Sequence, residues 1–489
     1  MDSVPQAAER RHVGVLTILS ALVLLAFVVL VGWLHSTGSR VEDMAEPERA
    51  LALIVGRTLD LDEGVEQAPA WERRLHQLML GGRADDLAEA IRWFEELARS
   101  SLDPAVDLHL AILEAEAGRF ERVRRRVEEW RRRADPFPTL AGLIVAAYLG
   151  GALDEEPDVD LRVELRALLL PGWFRDRIAI RLAARAGDDE LGETARAALD
   201  ARGGQLLARL RGFTAAEACV LVAGVVALVL IVVAGSARPG QTVGGLRQVR
   251  IGSVALPPPW PGRAGVVVLL HGGAVAALAI AAFQLLPLLV PARPLTSVMV
   301  ATLTNLAFVP LLVLAHRRLL APAGVGFGAG LGLVPSRGAA VPLAAVLLAL
   351  LAAGQAGEWA LGWAARALDL SAHWTEWFDR DLAWGSAPVV AVELVDTVVL
   401  TPVIEEILFR GLLFATLRTR LGLGASASLS AAIFAVAHGY GAAGFIAVFW
   451  SGVLWAVAYE KTGSLLPSIA AHAVDNLGAS LALLLVLRA

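Results

Sequence analysis

Apolar and polar positions divide the chain into a short apolar opening, a charged middle and a long apolar remainder. The opening run, Val13 to Leu34, follows Arg10, Arg11 and His12. It is longer than a signal-peptide core, and Gly32-Trp33-Leu34-His35-Ser36 is a poor cleavage site, so the run reads as a retained membrane anchor. From about Arg40 to Gly212 charges are dense, no run approaches the roughly 18 residues needed to span a bilayer, and apolar residues recur at helical spacing, as in Leu108, Ile112 and Ala115. After Thr214 apolar runs return. Candidate spans are Ala216–Gly235, Gly265–Val290, Thr296–Ala315, Ala339–Trp363, Ala387–Leu417, Ala425–His438, Gly444–Tyr459 and Leu465–Leu487. With the opening run they make nine.

The expected fold is all-α: a polytopic transmembrane helix bundle of about nine spans with an inserted soluble α-helical domain. The expected boundaries are 1–39 for the N-terminal anchor, 40–212 for the soluble domain, 213–338 for a first group of transmembrane helices and 339–489 for the core that carries the chemistry. Inside the soluble domain, helix breaks fall at Gly82-Arg83, Gly118-Arg119-Phe120, Gly151 and Gly187-Asp188, spaced by 36, 33 and 36 residues. That period is similar to a tetratricopeptide (TPR) array, and Ala117-Gly118-Arg119-Phe120 resembles the turn between its paired helices. The full TPR consensus is absent, and an irregular helical domain is the alternative.

Composition supports the membrane reading. Hydrophobic residues make up 56% of 489 and charged residues 19%, with a mean hydropathy of +0.60. A net charge of -5, with arginines set among equal numbers of acids, excludes a nucleic-acid partner. The single cysteine, Cys219, permits no disulfide framework. With the N-terminus inside, the short inner segments carry twelve Arg and Lys and the outer ones four, which places residues 40–212 outside the cytoplasm. Leu368–Leu382, with Trp374, Trp377 and Phe378, is expected to lie along the outer membrane surface.

Charged residues inside apolar spans are costly, about 2.5–3.5 kcal/mol each at a helix centre. Glu405, Glu406 and Arg410 stand within six residues of one span. Glu406 and Arg410, at i and i+4, share a face and can pair. Glu405 points about 100° away with no partner at that spacing, as a general base requires. Pro402 is expected to kink this helix and free a carbonyl. His438 ends one later helix, and His472 and Asn476 share a face of another. At about 1.5 Å per residue these groups lie roughly 11–20 Å from their helix ends, in one slab of the membrane. Other intramembrane polar residues, His271, Asn305 and Asp396, form no such set and read as structural.

Glu-Glu-x-x-x-Arg, Phe-x-x-x-His and His-x-x-x-Asn follow in order on successive helices. This ordered set resembles the CPBP family, the CAAX prenyl protease and bacteriocin-processing intramembrane endopeptidases, over roughly 339–489. The resemblance implies peptide-bond hydrolysis at the membrane. Glu405 would activate water with His438 positioning it, His472 and Asn476 would stabilise the oxyanion, and Glu406 with Arg410 would hold the geometry. No cofactor is certain. Zinc is open, since Glu405, His438 and His472 could hold Zn²⁺ with one free position, although no His-Glu-x-x-His is present. Asp475 reaches the same face as His472 at i+3 and competes with Asn476 for the last role. The implied partners are a membrane-associated protein or peptide substrate, the lipid bilayer and a protein recruited by the helical domain, in a bacterial-type inner membrane. A non-proteolytic scaffold or immunity-type protein is the rival reading. A transporter is a weaker one, because its paired broken helices are missing.

Overall fold

The computed structural model describes residues 14–37, 41, 44–150, 169–236, 242–243, 246–247, 249–284, 302–368, 370 and 372–488. The expectations that fall on Arg10, Arg11, Gly151, Arg238, Arg293 and the facing ends of the spans around residues 285–301 lie outside them. Apart from one antiparallel pair, Thr242–Val243 with Leu246–Arg247, the described elements are helices.

Among the described residues eight helices are long and apolar enough to cross a membrane. The ninth candidate forms Leu423–Ala437, 15 residues or about 22 Å of helix, shorter than a hydrocarbon core. The charged stretch before it and the second membrane group are not divided by a break at Gly212. One 48-residue helix, Asp189–Ser236, runs through that position.

By its contacts the chain forms two compact units. The first comprises 1–37, 219–371 and 385–478; the second comprises 38–218, 372–384 and 479–489. In the second unit helices begin where the sequence signals them. Asp103 caps Pro104–Glu116 by accepting the Ala105 N–H at 2.9 Å, and Gly118 and Gly187 end helices with left-handed φ of 74° and 67°. The unit's helices include Pro47–Glu66, Arg83–Ser100, Pro104–Glu116 and Phe120–Trp130. Leu51, Ile54, Ile91, Phe94, Ile112 and Trp173 build its core. Pro47–Glu66 and Asp189–Ser236 touch backbone to backbone where Gly64 meets Gly203; a Cβ on Gly64 would stand 2.3 Å from the Gly203 carbonyl oxygen.

Residues 372–384 do not lie as an amphipathic membrane strip. Trp374 is fully buried in the core of the helical unit, His373 Nε2 lies 3.0 Å from Glu96, and Arg380 pairs with Glu46 at 3.0 Å. Of the aromatic side chains that suggested a bilayer surface, Trp374 is buried and Phe378 packs against the same core, while Trp377 stays exposed. Leu487 joins the same core, and Arg488 donates to the Leu382 carbonyl.

In the membrane unit, helix Ala387–Arg418 is twice widened. Its α-helical parts are Ala387–Val395, Thr401–Glu406 and Ala415–Arg418; π-helical turns cover Asp396–Leu400 and Ile407–Phe414. The first has a local cause. Thr401 N–H bonds the Asp396 carbonyl five residues back, and the next amide position is Pro402, which has no N–H. The Thr397 carbonyl is thereby left without a helical donor, the freed group expected at the proline.

Candidate active site

The polar residues of Ala387–Arg418 meet those of Leu466–Leu487 inside the membrane unit. Glu406 and Arg410 form the expected i, i+4 pair at 2.8 Å, and both side chains are fully buried. Arg410 is fitted as well as paired. Its guanidinium carbon lies 4.3 Å from the ring centre of Phe434 and 5.0 Å from that of Trp455, cation–π contacts that strengthen where water is excluded. Gly452 leaves room for it, since a Cβ there would come within 2.9 Å of Arg410 Nη2 and of the Ala431 Cβ.

His472 sits between the two glutamates. Its Nδ1 is 3.3 Å from Glu406 Oε1 and its Nε2 is 3.7 Å from Glu405 Oε2. A carboxylate only accepts, so the Glu406 contact fixes a proton on Nδ1 and turns Nε2 toward Glu405. Trp455 stacks on the imidazole with centroids 4.3 Å apart and planes inclined by 20°. Glu405 has 22% of its side chain exposed, against none for Glu406. Of the two acids, it is the one that can meet a substrate. Its Oε2 makes no hydrogen bond, and its nearest basic group, His472 Nε2 at 3.7 Å, comes from another helix and is invisible to i+4 counting.

His438 joins this group through an aromatic bridge. Its Nδ1 donates to the Phe434 carbonyl at 2.8 Å, which leaves the lone pair on Nε2. Phe434 meets His438 and His472 edge-on at 4.6 and 6.0 Å. Asn476 makes a hydrogen bond between helices. Its Nδ2 donates at 2.8 Å to the Thr397 carbonyl released before Pro402.

Asn305 and Asp396 do form a set. Asn305 Nδ2 lies 3.2 Å from each Asp396 carboxylate oxygen and 2.8 Å from Thr401 Oγ1. His271 meets Thr17 at 3.1 Å, a link between the first helix and Gly262–Gln284. Trp455 had no signal at all in the sequence, being one tryptophan of thirteen in an apolar helix.

Among the described residues no three His, Cys, Asp or Glu side chains converge as a metal-binding set. His472 Nδ1 on Glu406 and His438 Nδ1 on the Phe434 carbonyl leave both Nε2 atoms turned away from these partners, an orientation that serves a zinc ligand and a hydrogen-bonding imidazole alike. No step below is routed through a metal.

Fold and site together define a multi-pass integral membrane protein with a buried acid–histidine–arginine cluster. Residues 387–478 match the family described as type II CAAX prenyl endopeptidase Rce1-like. The matched segment contains every one of Glu405, Glu406, Arg410, His438, His472 and Asn476, and it bears out the resemblance to the CPBP endopeptidases. No curated protein and no solved structure matches the chain.

Proposed function

We propose that the protein is an intramembrane endopeptidase that cleaves a membrane-associated protein or peptide with a glutamate- and histidine-dependent water. The observation that carries this reading is the buried chain Glu405–His472–Glu406–Arg410 inside the Rce1-like segment. With His472 protonated on both nitrogens the four side chains sum to zero charge, which suits a low-dielectric site where isolated charges are prohibitive.

Glu405, the accessible acid, takes a proton from water as the oxygen adds to the scissile carbonyl. His472, oriented by Glu406 and Trp455, presents Nε2–H to the developing oxyanion. Glu405 then returns the proton to the departing amine, and the C–N bond breaks. The His438 Nε2 lone pair accepts from the water and orients it. We assign Asn476 to holding the kink of the catalytic helix, since its amide is engaged by the Thr397 carbonyl; this departs from the oxyanion role that the resemblance implies.

The match makes a farnesylated CAAX peptide the first probe. Purified wild-type protein in lipid nanodiscs is expected to release its three C-terminal residues, and Glu405→Gln to release none. Metal analysis of the same samples is expected to give no stoichiometric zinc. Cleavage that survives in Glu405→Gln, or zinc bound one-to-one and lost in His438→Ala and His472→Ala, contradicts this mechanism.

The helical unit, whose buried core is separate from that of the site, serves in this reading as the recruiter of a protein partner. We place it outside the cytoplasm of a bacterial-type inner membrane on the asymmetry of Arg and Lys in the short loops. Reporter fusions after Ala134 are expected to be active only outside, and a cytoplasmic signal there reverses the topology.

A further inference from the structure

The π-turn Asp396–Leu400 lies one helical turn before Glu405, and two asparagines from two other helices hold it. Asn476, on Leu466–Leu487, donates to the Thr397 carbonyl at 2.8 Å. Asn305, from the span Thr302–Ala323, donates to Asp396 at 3.2 Å and to Thr401 Oγ1 at 2.8 Å. Asp396 is 4% exposed and begins the π-turn; Thr401 is the first residue after it. Asn305 therefore ties together the two ends of the widened turn, while Asn476 satisfies the carbonyl that the widening exposes.

The widening has a consequence for the site. A π-turn accommodates one more residue than an α-turn, and each residue of an α-helix turns the chain by about 100°. If Asp396–Leu400 relaxed to regular α-helix, every residue after it would rotate by about 100° relative to the residues before it. Glu405 and Glu406 are separated by the same angle, so their azimuths would shift by one position and Glu405 would leave the face that meets His472. The π-turn thus sets which glutamate is presented.

We propose that Asn305 is a positioning residue of the peptidase site: with Asp396 it pins the π-turn and so fixes the register that aims Glu405 and Glu406 at His472. It acts from outside the matched segment 387–478, on a helix that contributes none of the catalytic side chains. The proposal rests on the peptidase reading for its effect on turnover, but the clamp itself is a statement about the helix and can be tested without cleavage.

The test is a donor–acceptor swap in full-length protein in lipid nanodiscs, read in two ways. Cleavage of an internally quenched farnesylated CAAX peptide gives kcat and KM; hydrogen–deuterium exchange gives the opening of the amides of residues 396–404. Asn305→Asp places a second carboxylate against Asp396. It is expected to lower kcat by about tenfold to a hundredfold, as misplacement near 1 Å does, to leave KM within about twofold and to speed exchange across 396–404. Asn305→Asp combined with Asp396→Asn exchanges donor and acceptor and is expected to restore both kcat and protection. A merely structural asparagine would lower the yield of folded protein without this split between kcat and KM. Asn305→Ser, which keeps a small polar side chain, serves if Asn305→Asp does not fold and is expected to show the same two effects more weakly. Unchanged exchange and kcat in the single variants, or a swap that restores neither, overturns the proposal. If the wild type cleaves nothing while the single variants loosen 396–404 and the swap tightens it again, the peptidase reading fails and the clamp stands.

Discussion

Glu406→Gln isolates the buried ion pair. Glu406 and Arg410 lie 2.8 Å apart with both side chains fully buried, and Glu406 Oε1 also holds His472. Removing the carboxylate charge strands Arg410 in an apolar interior. Breaking a buried pair from one side costs about 3–5 kcal/mol. The amide that replaces the carboxylate keeps an acceptor oxygen, and the Phe434 and Trp455 rings remain against the guanidinium, so the lower half of that range is the expectation. At about 2–4 °C per kcal/mol for a unit of this size, Tm falls by roughly 6–16 °C. Arg410→Met together with Glu406→Gln removes both charges and should recover at least half of the loss. Glu405→Gln, which removes a carboxylate with one buried oxygen lacking a hydrogen bond, should melt within about 2 °C of the wild type. The assay is thermal unfolding of purified protein in nanodiscs, with all four forms in parallel. If Glu406→Gln melts with the wild type while Glu405→Gln collapses, the assignment of one acid to structure and the other to chemistry is reversed.

Two other outcomes follow from single contacts. Trp455→Leu removes the ring stacked on His472 at 4.3 Å and is expected to lower kcat by about tenfold with little change in KM; Trp455→Phe should keep most of the activity, and an unaffected Trp455→Leu would show that the stacking does not orient the imidazole. In the helical unit, burial between Phe94 and Phe174 pushes His109 down to about 3 from its ordinary 6.5. The unfolded chain then binds the proton first, so this contribution is whole above pH 6.5 and is lost between 6.5 and 3 at up to about 1.4 kcal/mol per pH unit; His109→Leu should flatten that limb of the stability–pH curve, and an unchanged slope would assign it to other groups.

Much of the site was legible because its cost is visible in sequence. Three charges in one apolar run announce themselves, and i, i+4 spacing correctly paired Glu406 with Arg410. The same counting gave Glu405 no partner, because His472 reaches it from another helix. It also could not see π-turns, which leave no mark beyond Pro402, so although a freed carbonyl was expected there, Asn476 as its donor and the link from Asn305 to Asp396 were missed. Trp374 misled for a related reason. An aromatic between membrane helices reads as a bilayer anchor, whereas here it fills the core of the helical unit, a contact set by residues more than two hundred positions away. Eight of the nine candidate spans fall on helices long and apolar enough to cross a membrane among the described residues. The continuous helix across Gly212 was missed, since glycine in a helix interior costs only about 1 kcal/mol and does not end it.

The central claim is that Glu405 performs peptide hydrolysis in the membrane. Its most direct test is to compare the membrane proteins and their termini in cells carrying wild-type protein with those in cells carrying Glu405→Gln at equal abundance. The account predicts at least one membrane-associated protein that accumulates uncleaved with Glu405→Gln and regains its processed terminus when the wild type is restored. Identical termini in both strains, with the two forms equally abundant and folded, would contradict it and favour a non-proteolytic scaffold.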